Sequence, residues 1–180
     1  MYLAGQINLW QMHQLTPGQL VQQFQLQPHP EGGYYKETYR SPDFIPDRSL
    51  SRLFNGDRNY STAIYFLLKK NDFSAFHRIN SDEMWHFYYG DTMLIHIIHL
   101  NGRLETMKLG SNIEAGEVFQ FTVPATCWFA AEPAISSAYC FVGCTVSPGF
   151  DFADFELAQV EELSKVYPQH KDIIKKLCRR

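Results

Sequence analysis

The sequence predicts an all-β domain, a barrel, sandwich or jelly roll, with a short helix ahead of it and helices after it. Two observations carry this expectation. Eight strand-like runs follow one another between residues 61 and 146, and turn signals separate most of them. Fourteen Phe, ten Tyr and three Trp make the chain rich in aromatics, which favour strands and the walls of small-molecule pockets. At 180 residues, one core burying roughly 70% of the unfolded surface is the default.

The elements follow in order. Residues 1–14 carry no clear period and read as an arm. Thr16 as N-cap and Pro17 at the first helical position start a helix, and Leu20, Val21 and Phe24 then fall at helical spacing to about Gln25. His29-Pro30-Glu31-Gly32-Gly33 is a turn, in which the glycines let the backbone approach a neighbour closely. Tyr34 to Tyr39 alternates as a strand does, placing Tyr35, Glu37 and Tyr39 on one face. Residues 41–59 hold Pro42, Pro46 and Gly56 and read as a loop over a barrel mouth. The strand runs are Ser61 to Leu68, Ser74 to Ile79, Glu83 to Tyr89, Thr92 to Leu100, Arg103 to Lys108, Val118 to Val123, Cys127 to Ala131 and Ser137 to Val146. Asn101-Gly102 is the strongest hairpin signal, because both residues tolerate the positive φ of a type I′ turn. From Asp154 to Leu177 the pattern turns helical, with Pro168 dividing it. The expected organisation is an arm over 1–14, a domain over 15–155 and a helical tail over 156–180 packed on that domain.

A net charge of −3 gives no electrostatic reason to bind nucleic acid or an anionic membrane, and neither partner is expected. Lys171, Lys175, Lys176, Arg179 and Arg180 read as a solvated helix end. Cys127, Cys140, Cys144 and Cys178 lack C-x2-C spacing and read as core residues, and no charged n-region precedes an apolar h-region, so a reducing, cytoplasmic location is expected. No run of about 18 apolar residues suggests a transmembrane helix.

His77, Glu83 and Gly90 fall at the spacing H-x-H, three or four residues, E, six residues, G, which resembles the first motif of the cupins. The second His position holds Ile79, and the metal His of the second motif would fall at about Phe129. Further blocks resemble the Cupin 5 branch, a domain of unknown function: H-P-E-G-G-Y-Y at His29 to Tyr35, S-T-A-I-Y at Ser61 to Tyr65, H-R-x-x-S-D-E-x-W-H at His77 to His86, V-P-A at Val123 with Trp128, and S-P-G-F at Ser147 to Phe150. The resemblance implies a double-stranded β-helix, a jelly-roll barrel around a ligand pocket. That branch is similar in fold to the sugar-nucleotide 3,5-epimerases, metal-free dimeric cupins, and fold does not imply function.

His77 and Glu83 are the expected catalytic residues, since an imidazole titrates near neutrality and a carboxyl beside it serves as acid, orienting group or ligand. Expected ligand-binding residues are His86, Gln120, Trp128, Phe129, Tyr35 and Tyr89. Alternation from Glu83 puts Trp85, Phe87 and Tyr89 on one face and His86 on the other, unless a bulge intervenes. His96 and His99 are assigned to no site, and Arg58 reads as a surface residue with a mouth anion as the sharper alternative. The leading reading is a metal-free cupin that binds a small sugar-like or carbonyl compound, with isomerase- or epimerase-like proton transfer by His77 opposite a tyrosine such as Tyr89 or Tyr139. The alternatives are a metal-dependent enzyme holding a divalent ion at His77 and Glu83, and a non-catalytic binding module. A homodimer is expected, because a strand with bulky aromatics on both faces needs cover on both sides.

Overall fold

The computed structural model describes residues 15–179, so the arm over 1–14 lies outside the described residues. Thr16 caps α1 (Pro17–Phe24): its Oγ1 accepts the Gln19 N–H while the Gln19 side chain accepts the Thr16 N–H, a reciprocal capping box. Then come β1 (Gln27–Pro28), β2 (Tyr34–Arg40), β3 (Phe44–Ile45), β4 (Arg58–Asn59), β5 (Thr62–Lys69), β6 (Ser74–Arg78), β7 (Asp82–Gly90), β8 (Met93–Ile98), β9 (Leu104–Leu109), β10 (Gln120–Val123), β11 (Trp128–Pro133), β12 (Tyr139–Ser147) and β13 (Glu156–Leu157). Helices α2 (Val160–Val166) and α3 (Lys171–Leu177) follow, divided by a 3-10 turn that starts at Pro168.

Two antiparallel sheets face each other as a jelly roll. One has the order β1-β2-β5-β12-β7-β10 and the other β13-β6-β11-β8-β9, with β3 and β4 paired separately. Between them lies the main core, in which Phe66, Trp85, Val142 and Cys144 of the first sheet meet Ile95, Ile97 and Phe129 of the second. Apolar residues also cover both outer faces. Leu20 and Phe24 of α1 pack with Leu67 and Phe141, while α2 and α3 bring Leu163, Ile174 and Leu177 onto Phe76, Ile98 and Ala130. Both faces of β5 and β11 are therefore buried, and these strands read as apolar runs rather than alternating ones. Among the described residues, no helix is long and apolar enough to cross a membrane.

Four expectations are corrected here. β8 and β9 do form a hairpin, but only Gly102 has positive φ (80°), and the His99 N–H donates to the Arg103 carbonyl at 3.0 Å. The connection is thus a longer loop relying on one glycine, not a type I′ turn. β13 pairs with β6, so residues assigned to the tail complete a barrel sheet. Arg58, read as a surface residue, is 4% exposed and forms a bidentate pair with Asp154 at 2.6 and 2.7 Å, while its Nη1 donates to the carbonyls of Asn55, Gly56 and Asp57. That pair folds residues 41–59 against the 152–154 turn. The basic tail, lastly, is not wholly solvated: Arg179 Nε donates to the Glu31 carbonyl at 2.9 Å, with its guanidinium 5.4 Å from the Phe73 ring centre.

Candidate functional site

A cavity of about 430 Å³ opens at one end of the barrel. Its inner wall comes from strands that face the core: His77 and Ile79 follow from β6, Glu83 from β7, Cys144 and Val146 from β12, and Ile64 and Phe66 from β5. The turn before β2 adds His29 and Glu31, β2 itself adds Tyr35, Glu37 and Arg40, and the segment 150–152 closes the mouth. Residues 41–59, expected over the mouth, contribute no lining side chain among the described residues.

At the inner end sits a network of titratable groups. His77 is 3% exposed; its Nδ1 donates to the Ala75 carbonyl at 2.7 Å, which fixes the tautomer and turns Nε2 toward Glu31 Oε2 at 3.2 Å. Glu31, 6% exposed, accepts the Ser74 hydroxyl on Oε1 at 2.9 Å. Its backbone N–H donates to His29 Nδ1 at 3.3 Å, so that nitrogen is unprotonated. Burial lowers the pKa of both His77 and His29, and burial raises that of Glu31 against the opposing pull of His29, Ser74 and Arg179. Both members of the Glu31–His77 pair are therefore held toward neutrality, with one proton between Oε2 and Nε2.

Glu83 is the second buried carboxyl. Burial raises its pKa from 4.5 to about 7, Glu31 adding to the rise while His77 and the Cys144 thiol oppose it. Burial, then the Glu83 charge, pushes the Cys144 thiol well above its ordinary value. The cavity thus holds a carboxyl that burial raises to about 7 close to the Glu31–His77 pair, which burial also holds toward its uncharged forms. Groups poised this way can exchange protons with a bound molecule at little cost in either direction.

Of the residues expected in the site, His77, Glu83 and Tyr35 line this cavity. The other five do not. Phe129 lies behind His77 in the core, 1% exposed, with ring centres 4.1 Å apart. Trp128, its neighbour, points to the opposite face, where Arg78 stacks on it at 4.6 Å. His86 is on the outer face of β7, with Nε2 3.0 Å from Thr145 Oγ1 and Nδ1 accepting from Gln120 at 3.0 Å, so those two residues satisfy each other outside the barrel. Tyr89 is displaced by a bulge. Phe141 pairs with Tyr89 and Val142 with Phe87, which leaves Tyr88 as the extra residue and turns Tyr89 outward against Tyr139. Tyr88 in turn lies over Gly143, where a Cβ would come within 2.3 Å of its hydroxyl. Tyr139 is likewise outside, donating to the Leu15 carbonyl. Tyr35 is the tyrosine that lines the cavity among the described residues, its ring edge-on to His29 at 4.5 Å.

The four-ligand metal pattern of the cupin motifs does not fit this donor set. Ile79 and Phe129 stand at two ligand positions without a donor atom, and both ring nitrogens of His77 already have partners. Glu31 and His29 were missed as site residues because a turn has no periodicity to aim its side chains. The only signal was a buried-type block, H-P-E-G-G, carrying two ionisable groups beside two glycines.

Comparison with known proteins agrees with this architecture. The chain belongs to the family described as Cupin superfamily (DUF985), whose model matches residues 18–158. Among individual proteins, it is similar to the uncharacterized protein YML079W of Saccharomyces cerevisiae, 30% identical over 156 residues covering 80% of this chain and 76% of that one. It is also similar to the solved structures of protein SO0799 from Shewanella oneidensis (40% identity, TM-score 0.82, 92% of this chain and 98% of that one) and a hypothetical protein from Leishmania major (33%, 0.84, 92% and 100%). Oxalate decarboxylase from Bacillus subtilis, at 15% identity and a TM-score of 0.50, covers 83% of this chain and 36% of its own, a likeness of fold alone.

Proposed function

We propose that this protein binds a small sugar-like or carbonyl compound in the barrel cavity and moves a proton on it, as an isomerase or epimerase does. The observation that carries the reading is the placement of Glu83: a buried carboxyl lining a cavity that also contains the Glu31–His77 pair, with its pKa raised by that burial. In its ionised form Glu83 accepts the proton from the carbon next to the carbonyl. The proton held between Glu31 and His77 is then available to the oxygen on which charge develops, and Tyr35 supplies a hydroxyl at the same wall. No step requires a metal.

The test is solvent deuterium incorporation, followed by NMR, into a panel of aldoses and ketoses. Exchange is expected at the carbon next to the carbonyl with wild type, and its loss in Glu83→Gln and His77→Asn. Saturable binding by wild type without exchange in any compound would leave a binding module instead.

A homodimer and a cytoplasmic location belong to the same proposal. Met84 and Tyr88 on β7 and Phe119 just before β10, the edge strand beside it, leave apolar surface exposed, and all four cysteines are free and buried, as suits a reducing compartment. A 20.9 kDa species in light scattering would overturn the dimer, and fractionation away from the cytoplasm the location.

A further inference from the structure

The charge around the cavity restricts what it can take. Its lining carries four carboxyl groups, of which burial holds Glu31 and Glu83 toward neutrality and Glu37 and Asp151 lie exposed, against one guanidinium, Arg40, and the two imidazoles that burial holds neutral. The remaining lining residues are uncharged. Arg40, moreover, is already committed. Its Nε and Nη2 grip Glu37 at 3.1 and 2.7 Å, and Nη1 donates to Asn59 Oδ1 at 2.7 Å and to the Phe150 carbonyl at 3.2 Å. Four of the five N–H donors of the side chain are thereby used. Glu37 and then Asp151 also raise its pKa, so the guanidinium sits between two negative groups at the mouth.

An anionic ligand would have to shed its water against Glu37 and Asp151 without an uncommitted cation to meet it. A cationic one finds the reverse. Asp151 lies between Phe150 and Phe152, whose rings meet edge-on at 5.0 Å, and its Oδ1 accepts only the Ala153 N–H, at 2.8 Å, among the described residues. Carboxylate and aromatic faces at one mouth suit an ammonium group, through charge and through the ring quadrupoles.

We infer that the cavity selects unphosphorylated, amine-bearing sugar-like compounds over neutral ones and rejects their phosphate esters. This deepens the proposed function and rests on its choice of cavity, but it concerns binding alone and needs no turnover. Glucosamine, glucose and glucose 6-phosphate share one ring and differ in charge, so their binding to wild type by saturation-transfer NMR and calorimetry at neutral pH is the experiment. Glucosamine is expected to bind about tenfold more tightly than glucose, with glucose 6-phosphate weakest. Asp151→Asn with Glu37→Gln should abolish the preference for the amine and strengthen phosphate binding, because Arg40 is then released. Tightest binding by the phosphate ester, equal binding of amine and neutral sugar, or no saturation by the amine overturns the inference. If glucosamine binds as expected while no compound exchanges deuterium, the proton-transfer reading fails and the charge selection stands.

Discussion

The buried Glu83 carboxyl makes folding stability depend on pH in a direction that a surface carboxyl does not. Below its ordinary value of 4.5 the group is protonated in the folded and unfolded chain alike. Between 4.5 and about 7 the unfolded chain releases the proton while the folded chain keeps it, so stability falls as pH rises, and the loss is complete once the folded carboxyl ionises. Raising the group from 4.5 to about 7 corresponds to about 3 kcal/mol. Glu83→Gln removes this dependence. Urea unfolding of wild type and variant at intervals from pH 4.5 to 8 should therefore give curves that diverge by about 3 kcal/mol in favour of the variant at the alkaline end. In a thermal melt this is about 6–12 °C for a chain of this size. Any packing change in the variant is common to all pH values and drops out of the divergence. Two curves that stay parallel across the range would refute the assignment of a raised pKa to Glu83.

Other substitutions probe the supports of the cavity. Arg58→Ala leaves Asp154 buried without its partner and should cost about 3–5 kcal/mol in chemical denaturation, whereas replacing both residues by apolar ones should cost less. Gly32→Ala should destabilise by about 2 kcal/mol or more, since φ is 121° and the new Cβ would lie 2.1 Å from the Phe73 carbonyl; adding Arg179→Ala should not restore stability, because that carbonyl remains. Alkylation by iodoacetamide at pH 8, followed by mass spectrometry, should leave Cys144 unmodified in the native protein and modify it fully in urea, since burial keeps it a thiol. Reaction of native Cys144 at the rate of a free thiol would contradict that account.

The strands were legible because their punctuation is local. Thr16-Pro17, Lys70-Asn71-Asp72 and Asn101-Gly102 dictate turns or caps whatever the rest of the chain does, and the elements between them end within a few residues of where these signals put them. Which face a side chain takes was legible only as far as the register stayed regular. Alternation from Glu83 correctly separates Trp85 in the core from His86 outside, then fails at Tyr89, because the extra residue at Tyr88 depends on Gly143 in a strand far away in sequence. Trp128 and Phe129 show the opposite limit: both are apolar with cover on both sides, so hydrophobicity cannot say which of them faces the barrel. The pairing of Glu31 with His77 was illegible for a further reason. It is made by a turn and a strand that the sheet order alone brings together.

The clasp between Arg179 and the Glu31 carbonyl spans 148 residues. A chain emerging from the ribosome at about 5–20 residues per second leaves the first of these groups waiting roughly 7–30 s for the second. Until the strands that bury it are complete, the turn carrying this acid stands in water and Glu31 has the proton affinity of an exposed carboxyl. The shifted proton affinities of the site therefore arise only when the strands that line it have closed, and the clasp by Arg179, whose charge pulls the Glu31 carboxyl back down, is the last part to arrive.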